Sequence, residues 1–149
     1  MNLAKDRVDI GLATNNLEAM LKFWQQDAGI PFDHLLKVSR TQDQHRHDAL
    51  GSVLKINHRQ EELPVVPPTG YLELIVARPG LTEEKALTDP DGNKVRLVPP
   101  GWNGVTQIGI RVGVRSLEAH RKFYREALGL TEEPYEKGAA FRGGQTLLL

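Results

Sequence analysis

Histidines are the residues of this sequence best suited to bind a metal ion or to move a proton near neutral pH. His45 and His47 lie two positions apart in the run His-Arg-His, and His58 follows in the same region. Side chains at positions i and i+2 of a strand face the same way, so His45 and His47 could share a metal or act as acid and base. The continuous polar run of residues 40–48 favours the alternative of an exposed loop or strand extension.

An internal repeat organises the elements around these residues. The motif Ile-Gly-Leu at 10–12 recurs as Ile-Gly-Ile at 108–110, and Lys-Phe-Trp at 22–24 recurs as Lys-Phe-Tyr at 122–124. The strand motifs are offset by 98 residues and the helix motifs by 100, so two residues are inserted between strand and helix in the second copy. A single recurrence at this distance indicates a duplicated supersecondary unit rather than a solenoid.

Each copy begins with a strand and a helix. Apolar and small or polar residues alternate over residues 8–13, which predicts a half-buried strand. Asn15 or Asn16 is the predicted helix cap, and Glu18 has the capping-box spacing from Asn15. Apolar residues at helical spacing follow, and Gly29 ends the helix. Further strands are predicted near residue 32, at 49–56, at 71–76 and at 95–98, the last after the turn Asp-Pro-Asp-Gly-Asn at 89–93.

Composition excludes several classes of function. The 149 residues are 40% apolar with zero formal net charge, so no basic face indicates nucleic acid or an anionic membrane. The sequence has no cysteine, which removes disulfides and thiolate metal sites. No apolar run approaches transmembrane length and no signal peptide is recognised, so we expect an unprocessed, cytoplasmic protein.

The segment Pro-Pro-Gly at 99–101 is the predicted boundary between two units. Residues 1–101 form the first unit with an extra hairpin, and residues 102–149 form the second, which is expected to lack its final strand. The sequence ends in Leu-Leu-Leu at 147–149, where an unpaired strand would be an aggregation-prone edge. Either the protein is longer or a partner chain completes the sheet. We expect a homodimer with residues 140–149 at or near the contact.

The arrangement resembles the vicinal oxygen chelate superfamily, the group of glyoxalases, bleomycin-resistance proteins and extradiol dioxygenases. The resemblance covers residues 6–149 and rests on the duplicated unit, the Phe-Trp or Phe-Tyr near each helix end, the Gly-Ile or Gly-Leu that follows, and the turn at 89–93. It implies an α+β fold of tandem βαβββ modules, which form a curved mixed sheet with the helices on its outer face. It does not specify a reaction, because this fold hosts several.

The resemblance also implies a metal site. Members that use a metal have a ligand in the first strand of each unit, at Asp9 and at Gln107 or Gly109 here, and a glutamate in a last strand, at Glu73. The strand after residues 89–93 often carries another Glu, but this chain has Arg96 there. An all-oxygen set would favour Mg, Mn or ferrous Fe over Zn, and Ni is a further possible ion. The alternative is that these are polar residues of exposed strand faces.

The expected function is therefore that of a small-molecule enzyme of lyase, isomerase or dioxygenase type. A divalent metal would act as a Lewis acid on a substrate with adjacent oxygens, and Glu73 would be the catalytic base if apolar surroundings without a partner raised its pKa. The alternative is a non-catalytic protein that sequesters a small apolar compound in the cavity of the fold. Further residues are candidates for the cavity wall: His45, His47, Ser52, Lys55, Asn57 and Arg96. His120 is expected to be structural.

Overall fold

The computed structural model describes residues 5–66 and 69–149. In these residues the chain forms strands and two short helices in the following order: β1 (Ile10–Thr14), α1 (Leu17–Lys22), β2 (Phe32–Lys37), β3 (Gln42–Ala49), β4 (Ser52–Arg59), β5 (Tyr71–Ala77), β6 (Lys85–Thr88), β7 (Lys94–Val98), β8 (Ile108–Val112), α2 (Leu117–Lys122), β9 (Thr131–Glu133), β10 (Ala140–Gly143) and β11 (Thr146–Leu148). Each helix continues into a wider π-helical turn, Phe23–Asp27 after α1 and Phe123–Ala127 after α2. Neither helix has the length and hydrophobicity of a membrane span, within the described residues.

The strands form two mixed sheets that repeat one pattern. The four-stranded sheet has the order β1-β4-β3-β2, and the seven-stranded sheet has the order β6-β7-β5-β8-β11-β10-β9. The first strand of each copy runs parallel to the last, β1 to β4 and β8 to β11. The order β1-β4-β3-β2 therefore matches β8-β11-β10-β9, and the predicted α+β fold of two βαβββ units is confirmed.

The sheet order corrects the expectation that the second unit lacks a final strand. β11 is hydrogen-bonded to β8 on one side and to β10 on the other, so both of its edges are paired. The closing strand of the first unit is β4, and β5 to β7 extend the sheet of the second unit by pairing with β8. A free edge at residues 140–149 was the reason to expect a dimer contact there, and that reason does not hold. The division at residue 101 stays a prediction.

Two local predictions left alternatives open, and the structure decides between them. The polar run at 40–48 is mostly strand β3 rather than a loop, because it has strand partners on both sides. Asn16, not Asn15, holds the N-cap position of α1, without a side-chain hydrogen bond to the helix. The Asn15 amide nitrogen instead donates to the carbonyl oxygens of Arg59 and Glu61, and its side-chain oxygen accepts from the Leu63 N–H. The side chain thus fixes the segment that leaves β4. In the second copy Ser116 does cap α2, by accepting the N–H of Ala119.

The two helices differ in burial although their sequences correspond. Met20 and Trp24 of the first helix are fully buried, in one apolar cluster with residues from both sheets: Leu54 and Ile56 of β4, Leu74 and Val76 of β5, and Val95 and Leu97 of β7. The first helix is therefore covered by β4 and by the β5–β7 segment. In contrast, neither α2 nor the turn after it has a buried residue. No second copy of the β5–β7 segment covers α2 in the described part of the chain.

Phe23 and Phe123 hold equivalent positions in the two copies, so substitutions there can test the difference in burial between the two helices. Phe23 is 6% exposed and packs edge-on against Trp24, whereas Phe123 is 52% exposed. We expect Phe23→Ala to lower the free energy of unfolding by about 3–5 kcal/mol, because it leaves a cavity in the core. Phe123→Ala should cost about 1 kcal/mol or less, as surface substitutions usually do. Urea denaturation of both variants measures the difference, and equal losses would contradict the described packing.

Candidate functional site

Asp9 directly precedes β1 and lies in a cluster of positive charge. Its Oδ2 is 2.8 Å from Lys5 Nζ and 2.9 Å from Lys55 Nζ. Lys55 is brought to this place by β4, in which it is aligned with Gly11 of β1. Burial alone would raise the pKa of Asp9, but the hydrogen bonds and charges of the two lysines outweigh it and lower the pKa from 3.8 to about 2. Asp9 is thus a carboxylate neutralised by two ammonium groups.

Glu73 lies on β5 between two arginines from the neighbouring strands. Its Oε1 is 3.0 Å from Nε and 2.9 Å from Nη2 of Arg96 on β7, and its Oε2 is 2.6 Å from Nη1 of Arg111 on β8. Arg96 also reaches Glu84, at 3.2 Å. The prediction that Glu73 is a base with a raised pKa required burial without a partner. Glu73 is buried, but both of its oxygens are bound to guanidinium groups, so the condition of burial without a partner is not met.

Gln107 directly precedes β8 and connects the two units. Its Nε2 donates to the carbonyl oxygen of Leu50, and its Oε1 accepts from the Ser52 hydroxyl at 3.4 Å. Ser52 is buried at this junction, at the start of β4. Gly109, the alternative ligand position, has no side chain, and a Cβ there would lie 2.9 Å from Val105 Cγ2. Gln107 therefore links the two units, and Gly109 lies at a close contact that leaves no room for a side chain.

The predicted metal ligands do not fit a divalent cation. Asp9 leads into the four-stranded sheet with two lysine partners, and Glu73 belongs to the seven-stranded sheet with two arginine partners. Oδ1 of Asp9 is buried without a hydrogen-bond partner in the described residues, but the lysines on Oδ2 would repel a cation. Across residues 5–66 and 69–149, no three His, Cys, Asp or Glu side chains are arranged to hold a metal.

The histidines of β3 face the core side of their sheet. His47 and His45 are aligned with Leu54 and Ile56 of β4, which are buried beneath α1. The His47 ring is fully buried, with Nδ1 3.2 Å from the His45 carbonyl oxygen and Nε2 3.3 Å from Gln25 Nε2. Burial lowers the pKa of His47 and of His45. The neutral ring thus uses both nitrogens within the protein, and His47 is a structural residue.

The other face of the four-stranded sheet carries Lys55 and Asn57. Oδ1 of Asn57 accepts hydrogen bonds from Gln44 Nε2 at 2.8 Å and from Gln42 Nε2 at 3.3 Å. His58 lies opposite Asp43 of β3, on the same face of the sheet as Ile56. The Gln42, Gln44 and Asn57 side chains form a polar ladder across β3 and β4. Glu73 and Arg96 belong to the other sheet.

A cavity of about 410 Å³ lies beside α2, over strands β8, β10 and β11 and the segment 134–139. Its apolar lining comes from Leu72, Val112, Val114, Leu117, Ala139, Phe141, Leu148 and Leu149. Its polar lining comes from Arg111, His120, Tyr124, Tyr135 and Lys137, and no lining residue is acidic within the described residues. We call it the α2 cavity. None of the site residues predicted from the sequence lines it.

The polar groups of the α2 cavity are held in place by neighbours. Arg111 donates to Glu73 through Nη1 and approaches the Tyr135 hydroxyl through Nη2 at 3.4 Å. Nδ1 of His120 is 3.0 Å from the Ser116 carbonyl oxygen. The Tyr124 ring packs on Phe141 with centroids 5.0 Å apart. Lys137 has no ion pair within the described part of the chain.

Sequence differences between the two copies are the feature from which the α2 cavity could have been predicted. Arg111 stands where the first copy has Ala13, and His120 stands where it has Met20. Met20 is a core residue, and a polar side chain at its counterpart indicates that the second helix packs differently. Tyr135 and Lys137 lie in a segment for which the sequence has no comparable signal.

Comparison with solved structures identifies the fold. Glyoxalase I from Zea mays superposes with a TM-score of 0.70 at 14% identity, covering 93% of this chain and 64% of that chain. A mutant of the same enzyme gives a TM-score of 0.67 at 14% identity, covering 93% of this chain and 65% of that one. No family model matches the sequence. No curated protein matches it. The predicted glyoxalase-like fold is confirmed, and this chain spans just under two thirds of each of those chains.

Asp9 offers a direct test of the charge cluster. We expect the pKa of Asp9, measured by NMR titration of its carboxyl carbon, to be about 2. Lys55→Met removes one ammonium group and leaves Asp9 equally buried. The pKa of Asp9 should therefore rise toward or above 3.8. Lys37→Met, on the exposed strand β2, is the matched control and should leave the Asp9 pKa unchanged. An unchanged value in Lys55→Met would show that Lys55 does not pair with Asp9.

Proposed function

We propose that this protein binds a small molecule with an apolar body and an acidic group in the α2 cavity. The observation that carries the proposal is the lining of this cavity, which is mostly apolar and contains Arg111 and Lys137 but no acidic side chain among the described residues. Its volume of about 410 Å³ falls in the range of small-molecule sites, about 300–1,000 Å³. Such a binding protein is the alternative to an enzyme that the sequence left open.

The two parts of the ligand would meet different parts of the wall. Leu117 and Phe141 offer apolar contact, and removing apolar surface from water would supply most of the binding free energy. Lys137, which has no ion partner in the described chain, would neutralise the acidic group. Arg111 would add a second hydrogen-bond donor. Glu73 is then a positioning residue, because it holds the Arg111 guanidinium against the sheet.

The likeness to glyoxalase I favours a second candidate, an enzyme of the lyase, isomerase or dioxygenase type. Two considerations place it second. The side chains of the predicted all-oxygen set, Asp9, Glu73 and Gln107, already form ion pairs or hydrogen bonds within the protein. The chain also spans only 64–65% of the matched glyoxalase I chains. An enzyme built on this chain would need ligands other than this set to hold a divalent metal.

Leu117→Trp tests the α2 cavity. Leu117 lines the cavity and is partly exposed, so a larger side chain can fill the space without disturbing the core. The probe is 8-anilinonaphthalene-1-sulfonate, which has an aromatic body and a sulfonate group. We expect the unchanged protein to bind it with enhanced fluorescence, and Leu117→Trp to weaken binding by about tenfold or more.

Phe123→Trp is the matched control, because Phe123 lies on the same helical segment, is more exposed and does not line the cavity. It should bind the probe as the unchanged protein does. Lys137→Gln should weaken binding of the sulfonate probe and spare an uncharged naphthalene. Probe binding that is equal in Leu117→Trp and the unchanged protein would place the site elsewhere and refute the proposal.

Metal content separates the two candidate functions. Protein purified without chelators should contain well below one equivalent of Fe, Mn, Mg, Ni or Zn by mass spectrometry, because the predicted ligands already have cationic partners. The Asp9→Ala and Glu73→Gln variants should show the same low content. A stoichiometric metal that is lost in either variant would instead support the enzyme and overturn our assignment of these residues.

A further inference from the structure

His120 lines the α2 cavity, and one of its two ring nitrogens has a fixed role. Nδ1 lies 3.0 Å from the carbonyl oxygen of Ser116, four residues earlier in the chain. A carbonyl oxygen can only accept a hydrogen bond, so Nδ1 carries the ring hydrogen. In the neutral imidazole the other nitrogen, Nε2, then has a free lone pair and can only accept. The helix therefore sets the tautomer of His120 and restrains its ring.

Nε2 of His120 is available to a ligand. No group of residues 5–66 and 69–149 donates a hydrogen bond to it. The ring is half-buried beside Tyr124, with centroids 6.2 Å apart. His47 on β3 differs, because it is fully buried and both of its nitrogens have contacts within the protein. His47 is thus a core residue, whereas His120 presents an acceptor at the wall of a cavity.

This acceptor differs from the other polar groups of the α2 cavity. Arg111 and Lys137 can only donate hydrogen bonds, and the hydroxyls of Tyr124 and Tyr135 can both donate and accept. Nε2 of His120 is therefore the one side-chain atom of the described lining that accepts without donating. A ligand that lacks a donor would remove water from this nitrogen and leave it unpaired, which lowers affinity.

We propose that the ligand of the α2 cavity carries a hydroxyl or N–H donor in addition to its acidic group, and that Nε2 of His120 selects this ligand by accepting its hydrogen bond. The ligand class is then an apolar acid with a hydroxyl or N–H substituent. The inference rests on the proposed function, which assigns the acidic group to Lys137 and Arg111. It gives His120 a role in specificity, where the sequence predicts a structural role.

The two polar groups of such a ligand would contact different elements of the fold. His120 belongs to α2, whereas Arg111 belongs to β8 and Lys137 to the segment between β9 and β10. Arg111 donates to Glu73 at 2.6 Å and approaches the Tyr135 hydroxyl at 3.4 Å, so its guanidinium is held on the sheet. The acidic group would therefore lie toward the sheet and the donor toward the helix, with the apolar body between them.

Matched naphthoates test the proposal in the intact chain. The parent acid, 2-naphthoate, has the apolar body and the acidic group, and hydroxy isomers add a donor at different positions of the distal ring. We expect at least one hydroxy isomer to bind about fivefold more tightly than 2-naphthoate at about pH 8, where histidine side chains are ordinarily neutral. The methoxy counterpart of that isomer cannot donate and should show no gain.

Substitutions of His120 identify the acceptor. His120→Phe keeps an aromatic ring but removes Nε2, so it should bind 2-naphthoate and lose the preference for the hydroxy isomer. His120→Gln supplies a side-chain carbonyl oxygen and should retain part of the preference. His34→Phe, on the exposed strand β2 outside the cavity, is the matched control and should retain all of it. The ratio of the two Kd values is the readout, because a merely structural role would change both alike.

Nitrogen NMR of the histidine rings gives a second readout in the unchanged chain. At the same pH the free protein should show the ring hydrogen of His120 on Nδ1, and only the hydroxy isomer should shift the Nε2 resonance toward its hydrogen-bonded position. A hydrogen on Nε2, equal binding of 2-naphthoate and every hydroxy isomer, or a preference that persists in His120→Phe would overturn this inference and leave the proposed function standing. Failure of all these acids to bind would overturn both.

Discussion

Burial of the first helix between two sheets is the constraint on which the rest of the structure depends. Met20, Phe23 and Trp24 are too apolar for the surface, and the four-stranded sheet covers only one side of them. The β5–β7 segment covers the other side through Leu74, Val76 and Val95. Because β5 also pairs with β8, the strands that bury the first helix are the same strands that extend the second unit's sheet. The packing of the core and the order of the strands therefore depend on the same segment, β5–β7.

The same strands explain the charges around Glu73. A carboxylate on the central strand β5, buried in a sheet, would be strongly disfavoured without partners. The neighbouring strands β7 and β8 each supply an arginine at the right register, so the charge is compensated within one layer. Asp9 is compensated in the same manner by lysines. In both places, cationic side chains of the protein lie beside the carboxylate that the family resemblance assigned to a metal.

Short-range and repeated features of the fold could be predicted from the sequence, whereas pairing between strands that are distant in the sequence could not. The duplicated strand and helix, the stripe containing Met20 and Trp24, and the turn at 89–93 follow from short-range patterns, and the turn is fixed by Asp89 accepting the N–H groups of Asp91 and Asn93. The sequence placed Glu73 in the last strand of the first unit, but the parallel pairing of β1 with β4 shows that this strand is β4. Polarity left both an exposed loop and a strand extension open at 40–48, and the partners on both sides make it a strand.

Divergence between the copies accounts for the location of the candidate site. The first helix needs an apolar stripe because two sheets enclose it, and its Met20 and Ala28 are buried accordingly. The second helix has no buried residue, and His120 stands where the first helix has a methionine. The α2 cavity therefore lies between α2 and the sheet, where the first unit has packed core residues. The aromatic contact between Tyr124 and Phe141 supports the second helix on the sheet. Duplication thus leaves one unit to stabilise the protein and the other with a cavity whose lining is free to acquire polar groups.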